Sequence, residues 1–505
     1  MFSPVNRIWI CMLALICMFV AGCGDAADSN KLAVAPNDEN GHKPFAIRMF
    51  APNFEAEALK SNNEIVQAIQ NYTGAKLSIS WIPKSAYDDK VAASIASGDV
   101  PQALIIQNDR TQFIIESVRS GFFWEIGPFL KDYKNLSGLD PGILNNISVE
   151  GKIYGLYRAR DLATGGFIVR KDWLDRLNLK EPRTMEDLYQ VMKAFTRNDP
   201  DANGKNDTVG LALNKLDIKP ATPGGFDLIV SYFGGPNGWE VNADGKFIPD
   251  IMTGAYLDAL KFFKRLYAEN LMNQDFAITS KARELVYKGK TGVFLESKAA
   301  TVFEGEAKKH HPDALMEPIS RIAGPKGERL PAASGYNGVF MFPKASVKTE
   351  AQLREILAFF DKLLDPAMQD LFQWGIEGKH YKVENGMYIR TDTKAYLANN
   401  DMHQIKLSTL DATIGDVSAL EKKLIEQKKA NVKIAVPNPA IALYSPTYTE
   451  KENVLNTIVN DARTRFIIGD IDEAGWKDAV EQWKKNGGTQ VIEEYETAYV
   501  KKRGK

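Results

Sequence analysis

In the run Asn198-Asp-Pro-Asp-Ala-Asn-Gly-Lys-Asn-Asp207, oxygen-bearing side chains recur at Asp199, Asp201, Asn203 and Asp207. Counted from Asp199, these are positions one, three, five and nine of a loop that wraps a hard cation. Gly204 allows the sharp turn, and the Lys205 carbonyl can supply the oxygen of position seven. Three carboxylates this close repel one another, so a bound Ca²⁺ gives them a physical reason to coexist. Position twelve, where a bidentate Glu normally closes the coordination sphere, is Gly210. The other reading of the same residues is a solvated Asp/Asn/Gly turn after a helix.

Catalytic chemistry leaves little trace. The histidines are His42, His310, His311, His380 and His403, and none belongs to a His-Glu-x-x-His zinc pair. His310 and His311 precede Pro312 and read as a solvated helix end. Gly289-Lys290-Thr291 has the end of a phosphate loop, but Glu284 stands where the leading Gly is needed. No Gly-x-Ser-x-Gly elbow occurs. Paired carboxylates for glycoside cleavage stay open, since any two of the many Asp and Glu could meet in a fold. The chain is therefore expected not to be an enzyme.

The N-terminus carries its own chemistry. Arg7 precedes an apolar run from Ile8 to Val20, which ends in Val20-Ala-Gly-Cys23. A short apolar core closed by small residues is a secretory signal (residues 1–22), too short for a comfortable membrane span. Cys directly after Ala-Gly matches a lipobox, in which Cys23 is diacylated and becomes the mature N-terminus. Two acyl chains anchor stably, at about 0.8 kcal/mol per buried CH₂. Cys11 and Cys17 leave with the signal, so the mature chain has no disulfide although it works outside the cytoplasm. Residues 23–44 are polar and read as a tether, with a stretched reach of roughly 70 Å. The formal net charge is -1, and no basic stripe with interleaved aromatics occurs, so nucleic acid is not an expected partner.

The elements that must position these residues follow from periodicity. Phe45–Phe50, Leu77–Trp81 and Ala103–Ile106 read as strands, separated by helices over 55–72 and about 87–95. Alternating strands and helices with short connections start a doubly wound parallel sheet, with ligands expected at the strands' carboxyl ends. Thr184 with Asp187 caps a helix whose apolar stripe is Leu188, Met192 and Phe195, and this helix leads into the Asp/Asn loop. Gly292–Glu296 and Gly335–Phe342 read as buried strands, and 350–364 as an amphipathic helix.

Three marks together carry a family resemblance: the lipobox, the stretch Arg170–Asp207 ending in the cation loop, and Glu377-Gly-Lys-His-Tyr381 after Trp374. The chain resembles extracellular solute-binding proteins of family 1, the lipoprotein receptors of carbohydrate ABC importers, and within them the large calcium-loop branch of Gram-positive bacteria. The likeness covers about residues 45–500. Thr208 stands where the family often has an acid, and Gln102 where it usually has Asp.

The resemblance implies an α/β, two-lobed periplasmic-binding-protein-like fold (type II) with a helix-rich C-terminal part. The N-terminal lobe is expected over 45–155 with a return segment at about 292–345. The C-terminal lobe is expected over 156–291, including loop 199–207, with 346–505 as its helical remainder. It further implies a receptor on the extracellular face of the cell membrane, monomeric, that traps an oligosaccharide or carbohydrate derivative and passes it to permease subunits. A same-fold receptor for peptide or another solute, one feeding a sensor kinase, and an extracellular enzyme or adhesin are the alternatives. Sugar clefts pair aromatic platforms with polar partners, which singles out Trp239 and Trp374 in Gly-rich turns, then Trp81, Trp124 and Tyr336. Arg158, Glu377 and Asn337 are the polar candidates. For any single aromatic, a core role competes with sugar stacking.

Overall fold

The computed structural model describes residues 45–216, 224–409 and 415–503. The signal, Cys23 and the tether to residue 44 lie outside the described residues. Among the described residues no helix is long and apolar enough to cross a membrane.

Nine strands build two sheets: β1 (Ala46–Asn53), β2 (Lys76–Pro83), β3 (Ala103–Ile106), β4 (Gly155–Ala159), β5 (Phe167–Arg170), β6 (Val209–Ala212), β7 (Thr291–Phe294), β8 (Met316–Ile319) and β9 (Tyr336–Met341). The first sheet runs β2-β1-β3-β9-β4 and the second β8-β5-β7-β6. In the first, β1 pairs parallel with β2 and β3, and β9 runs antiparallel between β3 and β4. Strands of this kind are short apolar runs buried on both faces, as Ala-Leu-Ile-Ile of β3 is. Helices cover both sheets, so the molecule is a two-lobed α/β protein, with one main core on the first sheet and, on the second, a large core plus a smaller one on the alternate strand residues Ile168, Ala212, Phe294 and Met316.

Local signals set the helix boundaries. The Asn63 side chain accepts from the Ile65 and Val66 amides and starts the helix Glu64–Thr73, which stops at Gly74 in the left-handed region. Thr184 and Asp187 form the full capping box of the helix Met185–Arg197, which buries Leu188, Met192 and Phe195. Phe195 meets the Trp173 ring edge-on at 5.3 Å, and Gly292 of β7 leaves the space for both rings.

The lobe boundaries expected from the sequence divide differently in the structure. Of the expected return segment 292–345, β7 and β8 pair within the second sheet, and only β9 returns to the first. Of the expected C-terminal remainder, residues 347–407 pack on the first core. The helix Glu350–Lys362 places Phe360 4.7 Å from Phe340 of β9, so it covers the sheet it has just left. An amphipathic stripe declares a buried face without declaring against which sheet.

Two buried polar clusters hold this half together. Arg158 on β4 is 1% exposed and donates to the Asn337 carbonyl at 2.9 Å and to Gln404 Oε1 at 2.6 Å. At the end of the helix Pro366–Trp374, Arg390 donates to the Gln373 and Trp374 carbonyls, while Tyr396 and His403 donate to that of Phe372. These side chains satisfy carbonyls that a helix end leaves without partners.

Arg158→Met is expected to lower stability by about 2–3 kcal/mol in urea unfolding, because it removes two hydrogen bonds made by a buried guanidinium to part-buried acceptors. Burial holds the His403 imidazole down to about 4 against an ordinary 6.5. Its contribution is thus fully present above pH 6.5 and is lost as pH falls toward 4, because the unfolded chain takes up the proton first. Melting temperatures measured across this window should fall on acidification, and His403→Gln should flatten that part of the curve.

Candidate functional site

The carboxyl end of β3 continues into Gln107-Asn-Asp-Arg110, and the amino end of β9 brings Tyr336 alongside it. Asp109 is 5% exposed and receives the Tyr336 hydroxyl on both oxygens, at 3.2 and 3.1 Å. Burial pushes the Asp109 carboxyl above its usual range, against the opposing pull of Arg110 and Tyr336. Arg110 pairs with Asp109 at 3.6 Å and turns its other nitrogens to the Ser148 and Asn146 carbonyls. The buried Oε1 of Gln107 has no partner among the described residues. A fixed carboxylate and an unfilled acceptor at the end of a parallel strand suit a ligand rich in hydroxyl donors.

Three recesses lie around these groups and the segments that link the lobes. The first, about 390 Å³, has Arg110, Val149 and Glu150 of the first lobe on one wall. Its other wall is Leu443, Glu494 and Lys502 of the second, and Tyr444 packs against the first core. Lys501 pairs with Glu150 at 2.9 Å, and the Arg119 guanidinium sits 5.6 Å over the Tyr444 ring. Burial, with Arg110 nearby, draws the Lys502 ammonium down to about 8. The second recess, about 240 Å³, is lined by the linker residues Leu162, Thr164, Gly165 and Gly166, by Gly224, Gly225 and Leu228, and by Leu295, Glu296 and Lys298 after β7. Gly166 is required there, since a Cβ would lie 2.6 Å from the Ile319 carbonyl. The third, about 250 Å³, holds Trp239 and Tyr499 with Lys326 and Arg329. A ribbon of Leu330–Pro331 paired with Ala435–Val436 separates the second from the third, and Asn237 ties the Gly-rich turn to it.

The residues singled out from the sequence scatter. Trp239 lines the third recess, half-buried, with its ring edge-on to Tyr495 at 5.1 Å. Tyr336 and Asn337 begin β9, where Asn337 is exposed. Arg158 lies beneath them, buried, engaged with protein groups as described above, and presents no face to a ligand. Trp374 is 7% exposed, sealed by Tyr381, Tyr388 and Arg390, so it is a core residue and no platform. Glu377 is exposed at the turn in which the Gly378 amide donates to the Tyr381 carbonyl. His380 of the same run is fully buried, and its Nδ1 accepts from the Ile376 amide. Trp124 donates to the Val347 carbonyl at 2.8 Å, next to the chain leaving β9, away from the Tyr336 end. Trp81 is half-buried on the edge strand β2. Gln107, Asp109 and Arg110 escaped the sequence reading, though their place just after a predicted strand was a usable signal. Lys326, Arg329 and Tyr499 carried none.

The Asp199–Asp207 loop has the turn its spacing implies, with Asp199, Ala202 and Gly204 all at positive φ. Asp199 receives the amides of Asn203 and Gly204 at 3.0 and 2.9 Å. Asn203 Nδ2 lies between Asp201 and Asp207, at 2.9 and 3.1 Å, and Lys290 pairs with Asp207 at 2.6 Å. Among the described residues no group of three or more His, Cys, Asp or Glu is disposed to hold a metal. The donor types nevertheless fit a hard cation. Asp201 Oδ1 is buried without a partner, and burial, Asp199 and Asp207 together raise its carboxyl above the usual range. Thr208 is buried with its hydroxyl on the Phe195 carbonyl, and a side chain at Gly210 would meet the Met192 carbonyl at 2.4 Å. Neither can contribute a carboxylate.

Comparison with known proteins places these features. Residues 57–370 match the family model described as bacterial extracellular solute-binding protein. Lipoprotein LipO of Bacillus subtilis (strain 168) is 39% identical, over 98% of this chain and 98% of its own length. The polygalacturonan/rhamnogalacturonan-binding protein YtcQ of the same organism is 41% identical, over 86% of this chain and 87% of its own. Among solved structures, an EF-hand mutant of the Streptococcus pneumoniae ABC-transporter substrate-binding protein FusA with fructo-nystose shares the fold. Its TM-score is 0.61 at 18% identity, covering 91% of this chain and 99% of that one. The chain belongs to the bacterial extracellular solute-binding proteins.

Proposed function

We propose that this chain is a lipid-anchored receptor, tethered through Cys23 on the extracellular face, that captures an oligosaccharide between its lobes and delivers it to an ABC importer. The observation that carries the reading is the set of polar groups left open at the carboxyl end of β3, where Gln107 Oε1 has no partner and Tyr336 holds Asp109 in place. The 41% identical relative named for binding polygalacturonan and rhamnogalacturonan supports the same substrate class. The lobes move about the segments 160–166 and 331–335, which join the two sheets. Closure is driven by the ligand's better fit to the closed state. Lys501 pairs with Glu150 of the other lobe at 2.9 Å. The chain works as a monomer and performs no catalysis of its own.

Titration calorimetry of the full chain against oligosaccharides, with peptides as controls, tests the reading. Asp109→Asn and Tyr336→Phe should each weaken sugar binding by about tenfold, the cost of one charge-assisted hydrogen bond. Binding of peptides alone, or release of a cleaved product, would overturn it.

The Asp199–Asp207 loop takes Ca²⁺ in this proposal, through Asp199, Asp201, Asn203, Asp207 and the Lys205 carbonyl. The neighbouring structure named as an EF-hand mutant supports a cation loop in this fold. The ion's part is structural: it neutralises the carboxylates and pins the helix Met185–Arg197 to β6. Ca²⁺ should raise the melting temperature by a few degrees, Asp201→Ala should abolish the rise, and Lys290→Met should enlarge it by freeing Asp207. Identical melts in Ca²⁺ and EGTA would exclude the site.

A further inference from the structure

The recess between the Gly-rich turn and the C-terminal helix Thr489–Arg503 has an uneven charge balance. Arg329 and Lys326 line it, and the lining carries one carboxylate, Glu240, which is exposed at the rim. Neither cation has an acidic partner among the described residues. Glu328, next in the chain to Arg329, is taken by Arg321 at 2.6 Å. Glu496, on the helix that forms the far wall, pairs with Lys246 at 2.8 Å and receives the Phe247 amide at 3.1 Å. Arg329 makes one long hydrogen bond, 3.4 Å to the Gly235 carbonyl, and its Nε is buried with no partner. The Lys326 stem packs over Gly234, which has a φ of 84°. A buried guanidinium edge left unpaired costs stability unless an external acceptor fills it.

The rest of the recess has the surface of a sugar subsite. Trp239 and Tyr499 are half-buried, each braced from behind by Phe247, at 6.1 and 5.4 Å between ring centroids. Pro236, Pro437 and Pro439 make rigid walls, so the shape is set before a ligand arrives. The ribbon that forms one side, Leu330–Pro331 with Ala435–Val436, also borders the recess at the lobe linkers.

We infer that this recess binds an acidic unit of the captured oligosaccharide, with the sugar ring against Trp239 and Tyr499 and its oxyanion on Arg329 and Lys326. The inference rests on the sugar-receptor reading and narrows it to acidic saccharides. A guanidinium fork takes a carboxylate or a sulfate ester with the same two-point geometry, so either a uronate or a sulfated sugar meets the requirement. Discrimination against neutral sugars follows because a neutral unit leaves the Arg329 edge unpaired.

The test is titration calorimetry of the full chain with three probes: trigalacturonate, a sulfated galactose trisaccharide, and neutral α-1,4-linked galactotriose. The expected result is tighter binding of at least one acidic probe than of the neutral one, with an affinity that falls as salt rises. Arg329→Gln should weaken that acidic probe by about tenfold or more and the neutral trimer by less than about twofold. Lys326→Gln, at an exposed position, should shift the acidic probe in the same direction and serves if the Arg329 variant does not fold. Equal losses for acidic and neutral probes would make Arg329 structural and overturn the inference. So would neutral sugars binding as tightly as both acidic ones, which would leave the receptor reading intact. No binding of any saccharide by the wild type would instead overturn the receptor reading itself.

Discussion

The structure depends on one long-range pairing, the insertion of β9 between β3 and β4. The strand comes back from the second sheet and runs antiparallel to both neighbours, with Val339 opposite Ile106 on one side and Tyr157 on the other. That single placement closes the first sheet, sets Tyr336 over Asp109, and fixes the linker 331–335 against Leu162. It also delivers the helix Glu350–Lys362 to the face where Phe360 meets Phe340. Pairing that joins distant segments carries a large loop-closure cost, so it forms only if burial on both faces offsets it. All of Gly338 to Met341 is buried, and the irregular register between Tyr336 and Val339 is confined to the end that enters from the linker.

Around this strand, polar groups find partners at long range, although Arg158 Nε stays without one among the described residues. Arg158 is spent on the Asn337 carbonyl and Gln404, and Arg390, Tyr396 and His403 close the end of one helix. Arg158 thus links the first sheet to the late segment at Gln404, while the other three tie that late segment to itself. Charged residues in such positions are engaged by the fold, so residue type alone does not mark a ligand contact.

Where the fold leaves polar atoms open, the pattern differs. Gln107 Oε1, just past the end of β3, and Arg329 Nε, in the recess beside the Leu330–Pro331 ribbon, are buried and unpartnered. In the Asp199–Asp207 loop the charges are instead partly answered from within, by Asn203 between two carboxylates and by Lys290 on Asp207. The first two are acceptor and donor edges waiting for a partner, and the third is a loop whose protein contacts already relieve some of its repulsion.

Much of the local structure was determined by the sequence alone. Thr184 and Asp187 dictate a capping box, the alternate oxygens dictate the turn from Asp199 to Asp207, and the apolar runs dictate β1, β3 and β9. These are signals within a few residues, where backbone sterics and short hydrogen bonds decide. The family was legible for the same reason, since its marks are contiguous motifs. Tertiary structure decided which sheet each strand joined and which aromatic faced solvent. Trp374 and Trp239 both follow or precede Gly-rich turns, yet Tyr381 and Tyr388 seal the first while the second lines a recess. The same holds for Arg329, Lys326 and Tyr499, which meet because a hairpin and the C-terminal helix pack on one ribbon. Burial is a property of what covers a residue, and the covering segment can come from anywhere in the chain.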